Sequence, residues 1–455
     1  MAIFNVTNAT QLQGALASAQ GGDRIVLAAG NYGTVKIANR DFGSEVTVQA
    51  AQVGTSVRFD GLQVNNSKNL TFRGMDVGRA LNDGEPDWTQ LSTIRDSSNI
   101  KLSFVRIHGS EDGNPANDGV GLEVSNVHHL NVSNSSFSDL RRGIFAQKSS
   151  FVVIQSNELK TIREDGLSVA AVDNIVIDKN RFSEFQPNST DHSDFIQFFN
   201  TNQTKGSSNI TIKNNVMTQS DHGGTNGTQG IWMSDPASFG YKNLLIQNNL
   251  IWSNDMHNGI TVRGGDLVRI LGNTVLSKAD DAEQLWIRLE NSSRIVLEGN
   301  ITDNILVNNV TSLVQLNNVN FTATPDARSL VPQLNAPASA QDLMVAGIGY
   351  KGDTLPQNAP VSTAAGSSIG GLLSRATGAS LGKIQVAESA DQQVSPTVAK
   401  LHPALVEAVP VEAPALPKFS EIFAVQEPTP PLHHVPTVPM HVPFHAIYDH
   451  FAALP

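Results

Sequence analysis

Asn174-Ile175-Val176-Ile177-Asp178-Lys179-Asn180-Arg181-Phe182 is the stretch that decides how this chain folds. Ile175 and Ile177 stand two apart, the spacing of a short strand with one buried face. Asn180 follows three positions after Ile177, and another apolar residue, Phe182, two positions after that. The spacing returns from Asn209 to Met217 and from Asn243 to Ile251. Aligning the equivalents of Asn180 gives Met75, Val105, Ser135, Asn157, Asn180, Asn215, Asn249, Asn273 and Asn300, at intervals of 22 to 35 residues. Such a period marks a solenoid with one coil per repeat. Asn side chains stacked at one turn of successive coils bond the backbone and one another, so the column reads as a ladder. The pattern predicts an all-β chain: a right-handed parallel β-helix with Ile, Val, Leu and Phe stacked inside and coils about 4.8 Å apart.

Outward from the repeat, Thr10 to Ala19 has helical character and is expected to cover the first coil, with Gly21-Gly22-Asp23 turning the chain into the first strand. Residues 1–57 are read as cap and first coils, 58–334 as the β-helix with its groove, and 335–455 as a tail. Sixteen of the 21 prolines lie beyond residue 330, so the tail is expected to be extended or disordered, with a docking or export role. Its His433, His434, His441, His445 and His450 fit no compact metal spacing.

The bulk numbers agree with many turns and short strands: charged residues are 16% of the 455 and aromatics 6%. A formal net charge of −11 without clustered Lys or Arg argues against nucleic acid as a partner, while a local Arg site still suits an acidic polymer. With no cysteine, disulfides, thiolate metal sites and a catalytic Cys are excluded. No apolar run approaches a membrane span, and the first residues lack the basic and apolar regions of a secretory signal. An extracellular or surface location is therefore expected to be reached by another export route.

The opening cap, the Gly-Asp turn, the short coils and the Asn ladder resemble the pectate-lyase-like family of β-helix proteins over about residues 5 to 320. That family includes polysaccharide lyases, glycosidases, uronate C5-epimerases and phage tailspikes. The segment Asp191-His192-Ser193-Asp194-Phe195-Ile196-Gln197 is similar to the Asp/His segments that begin a strand in its lyase and epimerase members. It departs from the epimerase-type Asp-Pro-His-Asp by carrying Ser193 between the His and the second Asp.

Comparable strands begin at Gly143-Ile144-Phe145, Gly166-Leu167-Ser168, Phe195-Ile196-Gln197, Gly230-Ile231-Trp232, Gly259-Ile260-Thr261 and Gln284-Leu285-Trp286. Alternation sends the middle residues inward and predicts an outward column of Phe145, Ser168, Gln197, Trp232, Thr261 and Trp286. A second outward column holds Gln147, Ala170, Phe199, Ser234, Arg263 and Arg288. Trp stacks on apolar sugar faces and Arg pairs with carboxylates in a planar fork, so these columns suit a sugar polymer. The residues just before the strands are Arg142, Asp165, Asp194, Gln229, Asn258 and Glu283. Asp165 and Asp194 then stand in neighbouring coils, roughly 5 Å apart at the backbone, where each raises the pKa of the other. Asp191, His192, Asp221, His222 and His257 gather at the same sheet edge. The long inserts between Asn180 and Asn249 are expected to wall a cleft centred on Gln197 and Trp232.

Three functions follow. A lyase or C5-epimerase abstracts the C5 proton of a uronate: His192 or His257 is the base, Asp191 or Asp194 orients the His, and Arg263 or Arg142 neutralises the carboxylate. A calcium ion on Asp165, Asp194 and Asp221 is the alternative neutraliser; otherwise no cofactor is expected. Gln147, Gln197, His222, Trp232, Trp286 and Arg288 are expected to bind the chain. A glycoside hydrolase would use Asp165 and Asp194 as its two carboxyl groups. A non-catalytic adhesin or tailspike-like protein would only bind polysaccharide, either as a monomer or as a homotrimer.

Overall fold

In the computed structural model, residues 1–352 are described apart from 53, 220–226, 279–282, 335–336 and 338. Asp221, His222 and the tail from 353 onward, with its histidines, lie outside the described residues.

One path is repeated from coil to coil. Arg142–Gln147 is a first strand, the chain bends into a second at Ser150–Gln155, and a tight turn leads to a third at Glu158–Ile162. In the next coil Leu167–Ala170, Asp173–Asp178 and Arg181–Ser183 lie beside these in parallel register. Ile144 faces Leu167, Val152 faces Ile175, and Leu159 faces Phe182. First and second strands build a sheet of 20 strands and third strands one of 12, among the described residues. The expected right-handed parallel β-helix is the fold, and its core is the expected apolar stack: Ile144, Leu167, Ile196, Ile231 and Ile260 are all fully buried.

The turn into the third strand explains the sequence period. Each ladder residue follows a residue held at positive φ: Asn134 before Ser135, Ser156 before Asn157, Lys179 before Asn180, Asn214 before Asn215, Asn248 before Asn249. Asn and Gly tolerate that left-handed conformation best, which accounts for the Asn-Asn pairs and for Gly272 and Gly299 in the last coils. The ladder side chains then run from coil to coil without a gap. Asn157 donates to Asn180 (3.0 Å), Asn180 to Asn215 (3.0 Å), Asn215 to Asn249 (2.9 Å), Asn249 to Asn273 (3.0 Å) and Asn273 to Asn300 (2.9 Å). Asn318, one coil beyond the aligned series, accepts from Asn300 at 2.9 Å.

At the start of the chain, the capping helix spans Ala9–Ser18, with Asn8 as its N-cap accepting from the Gln11 N–H and Leu12, Ala15 and Leu16 turned onto the first coil. Near the other end, Val331, Leu334, Leu343 and Tyr350 pack with Val216, Leu250, Trp252 and Leu276 in a second apolar cluster outside the 12-stranded sheet. The Trp252 indole N–H donates to the Leu334 carbonyl at 3.0 Å. The last strand of the coils ends at Asn320, and this packed cover extends past residue 334, from which the sequence reading expects an extended or disordered tail, as far as Tyr350.

One expected register is corrected. Trp286 pairs with Asn258, and it is Arg288 that lies opposite Thr261 and Glu290 opposite Arg263. A bulge between Asn258 and Ile260 shifts the last coil. The inward row therefore continues through Ile287 rather than Leu285, although Leu285 is buried too. Trp286 and Arg288 each sit one row away from their expected columns, and Glu283 precedes the strand.

Candidate functional site

His192 is the centre of the site. It sits on the turn before Asp194–Phe199, a strand whose first residue, Asp194, is fully buried. The His192 Nδ1 lies 2.9 Å from Asp194 Oδ2, and the Gln197 amide donates to the same oxygen at 2.9 Å. The Gln229 amide nitrogen lies 2.8 Å from His192 Nε2. Both ring nitrogens are thus held, yet the side chain remains 40% exposed and meets the Trp232 ring edge-on at 5.5 Å. Burial opposes a charge on His192, but the Asp194 carboxylate outweighs it and raises the pKa to about 9. Amide orientation is set by the hydrogen-bond network. With its nitrogen toward Nε2, Gln229 matches neutral His192; turning the amide would bring its otherwise unpartnered Oε1 to face the Nε2–H of the charged ring.

Beneath His192 lies the expected carboxylate pair. Asp165 and Asp194 are 1% and 0% exposed, and burial raises both pKa values, opposed at Asp165 by Arg142 and at Asp194 by His192. Ser168 donates to Asp165 Oδ2 at 2.7 Å. The Oδ1 atoms of both acids are buried without a hydrogen-bond partner, which adds to the cost of charging either one.

Other expected residues divide among three neighbourhoods. Arg263 lies over the Trp232 ring, 4.9 Å from its centroid, and pairs with Glu290 at 2.7 Å. Arg288 donates to the same Glu290 and lies over Trp286 at 5.6 Å. Two guanidiniums share one carboxylate, so this patch keeps one net positive charge. Trp286 donates to Asn258 at 2.9 Å and stacks flat on His257, with centroids 4.5 Å apart. His257 pairs with Glu283 and stands two coils from Asp194, so it belongs to the Trp286 neighbourhood and not to that of His192. Gln197 is 5% exposed, and Gln147 lies half-buried at the end of its strand.

Two expected roles are corrected. Asp191 does not orient His192: it pairs with Arg163 at 3.2 Å and accepts from the Asn188 N–H at 2.9 Å. Arg142 does not face a ligand openly: it is bound to Glu164 at 2.8 Å and lies 3.4 Å from Asp165. Both belong to an ionic network that the sequence reading missed. Arg141 joins Asp87 and Glu164 (2.8 and 2.7 Å), and Arg163 joins Asp87 and Glu164 (3.0 and 3.2 Å). Its signal was Arg141-Arg142 followed one coil later by Arg163-Glu164-Asp165. Glu290 was missed too, one coil of 27 residues beyond Arg263.

For calcium, Asp165 and Asp194 are present but the third expected ligand, Asp221, lies outside the described residues. Among the described residues the converging acids are Asp112, Asp118 and Asp139, with oxygens within 4.8 Å of one another. Burial raises Asp118 to about 6, and its oxygens accept from the Ser110 N–H (2.6 Å) and hydroxyl (3.1 Å).

No curated protein matches the chain. Residues 60–204 match a family model described as a right handed beta helix region. An alginate lyase from a Paenibacillus species is similar at 14% identity, covering 68% of this chain and 99% of that one, with a TM-score of 0.43. A polygalacturonase from Erwinia carotovora shares 14% identity over 69% and 94% of the two chains, with a TM-score of 0.40. A surface adhesin of Streptococcus pneumoniae shares 12% over 68% and 86%, also with a TM-score of 0.40. By its coil geometry and by the family match over residues 60–204, the chain is a right-handed parallel β-helix protein.

Proposed function

We propose that this groove acts on an acidic polysaccharide outside the cell, abstracting the C5 proton of a uronate as a lyase or a C5-epimerase does. The observation that carries the reading is His192, a half-exposed imidazole anchored by buried Asp194 and set against a Trp232 ring that carries Arg263. Neutral His192 donates Nδ1–H to Asp194 and leaves the Nε2 lone pair to take a proton. In the free groove the Gln229 amide occupies that lone pair, so the substrate displaces it. Arg263, with the net positive charge it shares with Arg288 and Glu290, neutralises the uronate carboxylate as charge moves onto it. Trp232, with Arg263 over one face, offers its other face to a sugar, while the Trp286 ring is taken up by His257 and Arg288. The burial of Asp165 and Asp194 favours this reading over hydrolysis, because a glycosidase needs its carboxyl groups in reach of the bond.

Incubation with a panel of uronate polymers, with and without a calcium chelator, tests the reading. Absorbance of an unsaturated uronate is expected for elimination, or inverted C5 stereochemistry by proton NMR for epimerisation, and either signal disappears in His192→Ala. Reducing ends without either signal would move the reading to hydrolysis; binding without turnover would leave an adhesin.

A further inference from the structure

The two ends of the solenoid differ. At the first coil, Leu12, Ala15 and Leu16 of the capping helix lie over the apolar core and are buried. At the other end, the last coil runs along Asn304–Leu316 and turns into Val319–Asn320. Asn304–Leu316 pairs in parallel with Trp286–Glu298 on one side, and among the described residues no strand pairs with its other side. The cover of Val331, Leu334, Leu343 and Tyr350 packs against the flank of the coils and leaves most of Asn304–Leu316 open to solvent.

The register identifies this end as a core that lacks its next layer. Val262 faces Leu289, and Leu289 faces Val307. Val262 and Leu289 are fully buried, whereas Val307, in the same inward row, is 41% exposed. Val314 and Leu316 are 47% and 48% exposed at the same end. Ile305, Val307, Gln315 and Leu316 line a hollow of about 440 Å³. Contiguous apolar surface of this kind marks an interaction site, and a long edge strand left to solvent is normally blunted by charged side chains. This edge has no such protection: no Asp, Glu, Lys, Arg or His occurs from Asn304 to Pro325.

The absence of charge selects the occupant. With a net charge of −11, two copies of the chain repel over most of their surfaces, but their last coils meet with no charge on either side. An edge strand is also self-complementary: across a two-fold axis it pairs antiparallel with its own copy, and each inward row gains the layer it lacks. The last coil, residues 304–323, offers 20 residues, the lower end of the roughly 20 to 30 a side that a standard interface uses. Because the capping helix covers the opposite end, such a contact closes at two copies and does not propagate into a fibre. We propose that the last coil is a homodimer face, at which two copies of this chain join end to end through Asn304–Leu316. This face is separate from the groove and does not depend on the reaction assigned to His192.

The test is sedimentation equilibrium of the full chain over a wide concentration range, for wild type, Val314→Lys and Leu316→Lys, with hydrogen exchange along the last coil. Wild type is expected at twice the mass of the chain, with the Asn304–Leu316 amides exchanging slowly. Each lysine, placed where the side chain already reaches water, puts an unpaired charge into the contact and is expected to weaken the dimer about a hundred-fold and to speed exchange along the strand. Melting curves verify that both variants are folded. A trimer, or a dimer as tight in both variants as in wild type, would overturn the proposal. So would a wild-type monomer at every concentration: slow exchange along Asn304–Leu316 would then assign the edge to residues beyond 352, and fast exchange would show it bare.

Discussion

His192 and the carboxylates under it make the site a pH-dependent one. As a base, His192 works only when neutral, so lyase or epimerase rate is expected to rise with pH through about 9. Asp194→Asn removes the charge that raises this pKa. Its pH–rate profile should shift toward acid, with a lower plateau because the ring is less well oriented. A profile unchanged by Asp194→Asn would separate His192 from the rate-limiting proton transfer. Stability has its own pH dependence. Asp165 is raised from 3.8 to about 7, so the folded state holds its proton more tightly than the unfolded chain does. That contribution is present below about pH 4 and is lost as pH rises through 7. His192, also raised, loses its contribution as pH rises from its ordinary 6.5 through about 9. Asp165→Asn, which keeps the shape and removes the ionisation, is therefore expected to raise the melting temperature at pH 8 by a few degrees and to change it little at pH 4. Thermal melts at the two pH values check this.

At the scale of the element, the Asn ladder is where one side chain serves two coils. Asn215 accepts from the Asn180 backbone and side chain (2.9 and 3.0 Å) and donates to Asn249 and the Ile177 carbonyl (2.9 and 3.0 Å), all buried. Asn215→Ala leaves several buried groups without partners and is expected to cost about 3 kcal/mol or more in urea unfolding. Asn243, at φ 54° within the second strand Tyr241–Gln247 of its coil, donates to Asn209 at 2.9 Å on the exposed surface. Asn243→Ala is expected to cost about 1 kcal/mol, mostly the left-handed backbone penalty. Equal losses in the two variants would contradict the burial argument.

For the molecule as a whole, long-range closure matters as much as the repeat. Leu334 reaches back 82 residues to cover Trp252, and it is 2% exposed. Leu334→Asp puts an unpaired charge into that cluster and is expected to cost about 3 kcal/mol, with Trp252 fluorescence moving to longer wavelength. The chain carries a net charge of −11, so under the proposed function an acidic polymer depends on a local positive patch such as that of Arg263 and Arg288. Binding is expected to weaken in Arg263→Ala more than through general salt screening, measured by titration at two ionic strengths.

By itself, the amino-acid order determined the coil. A left-handed turn followed by a buried Asn and a period-2 apolar strand are local requirements repeated at every level, so Asn180 and Ile177 announce them wherever they recur. The same alternation gave the inward row from Ile144 to Ile260 and the placement of Asp165, Asp194, Gln197 and Trp232 on neighbouring coils, because parallel stacking converts coil period into adjacency. Only the tertiary structure decided which neighbours a charged side chain chose. Asp191 and Arg142 stand in the expected places, but each turns to a partner, Arg163 or Glu164, brought in from another coil. The bulge that carried Trp286 beside Asn258 arises from one extra residue in one coil, too small a feature for a pattern with intervals of 22 to 35 residues to reveal. Direction along a strand is periodic and legible; pairing among long, flexible charged side chains is settled by distance in three dimensions.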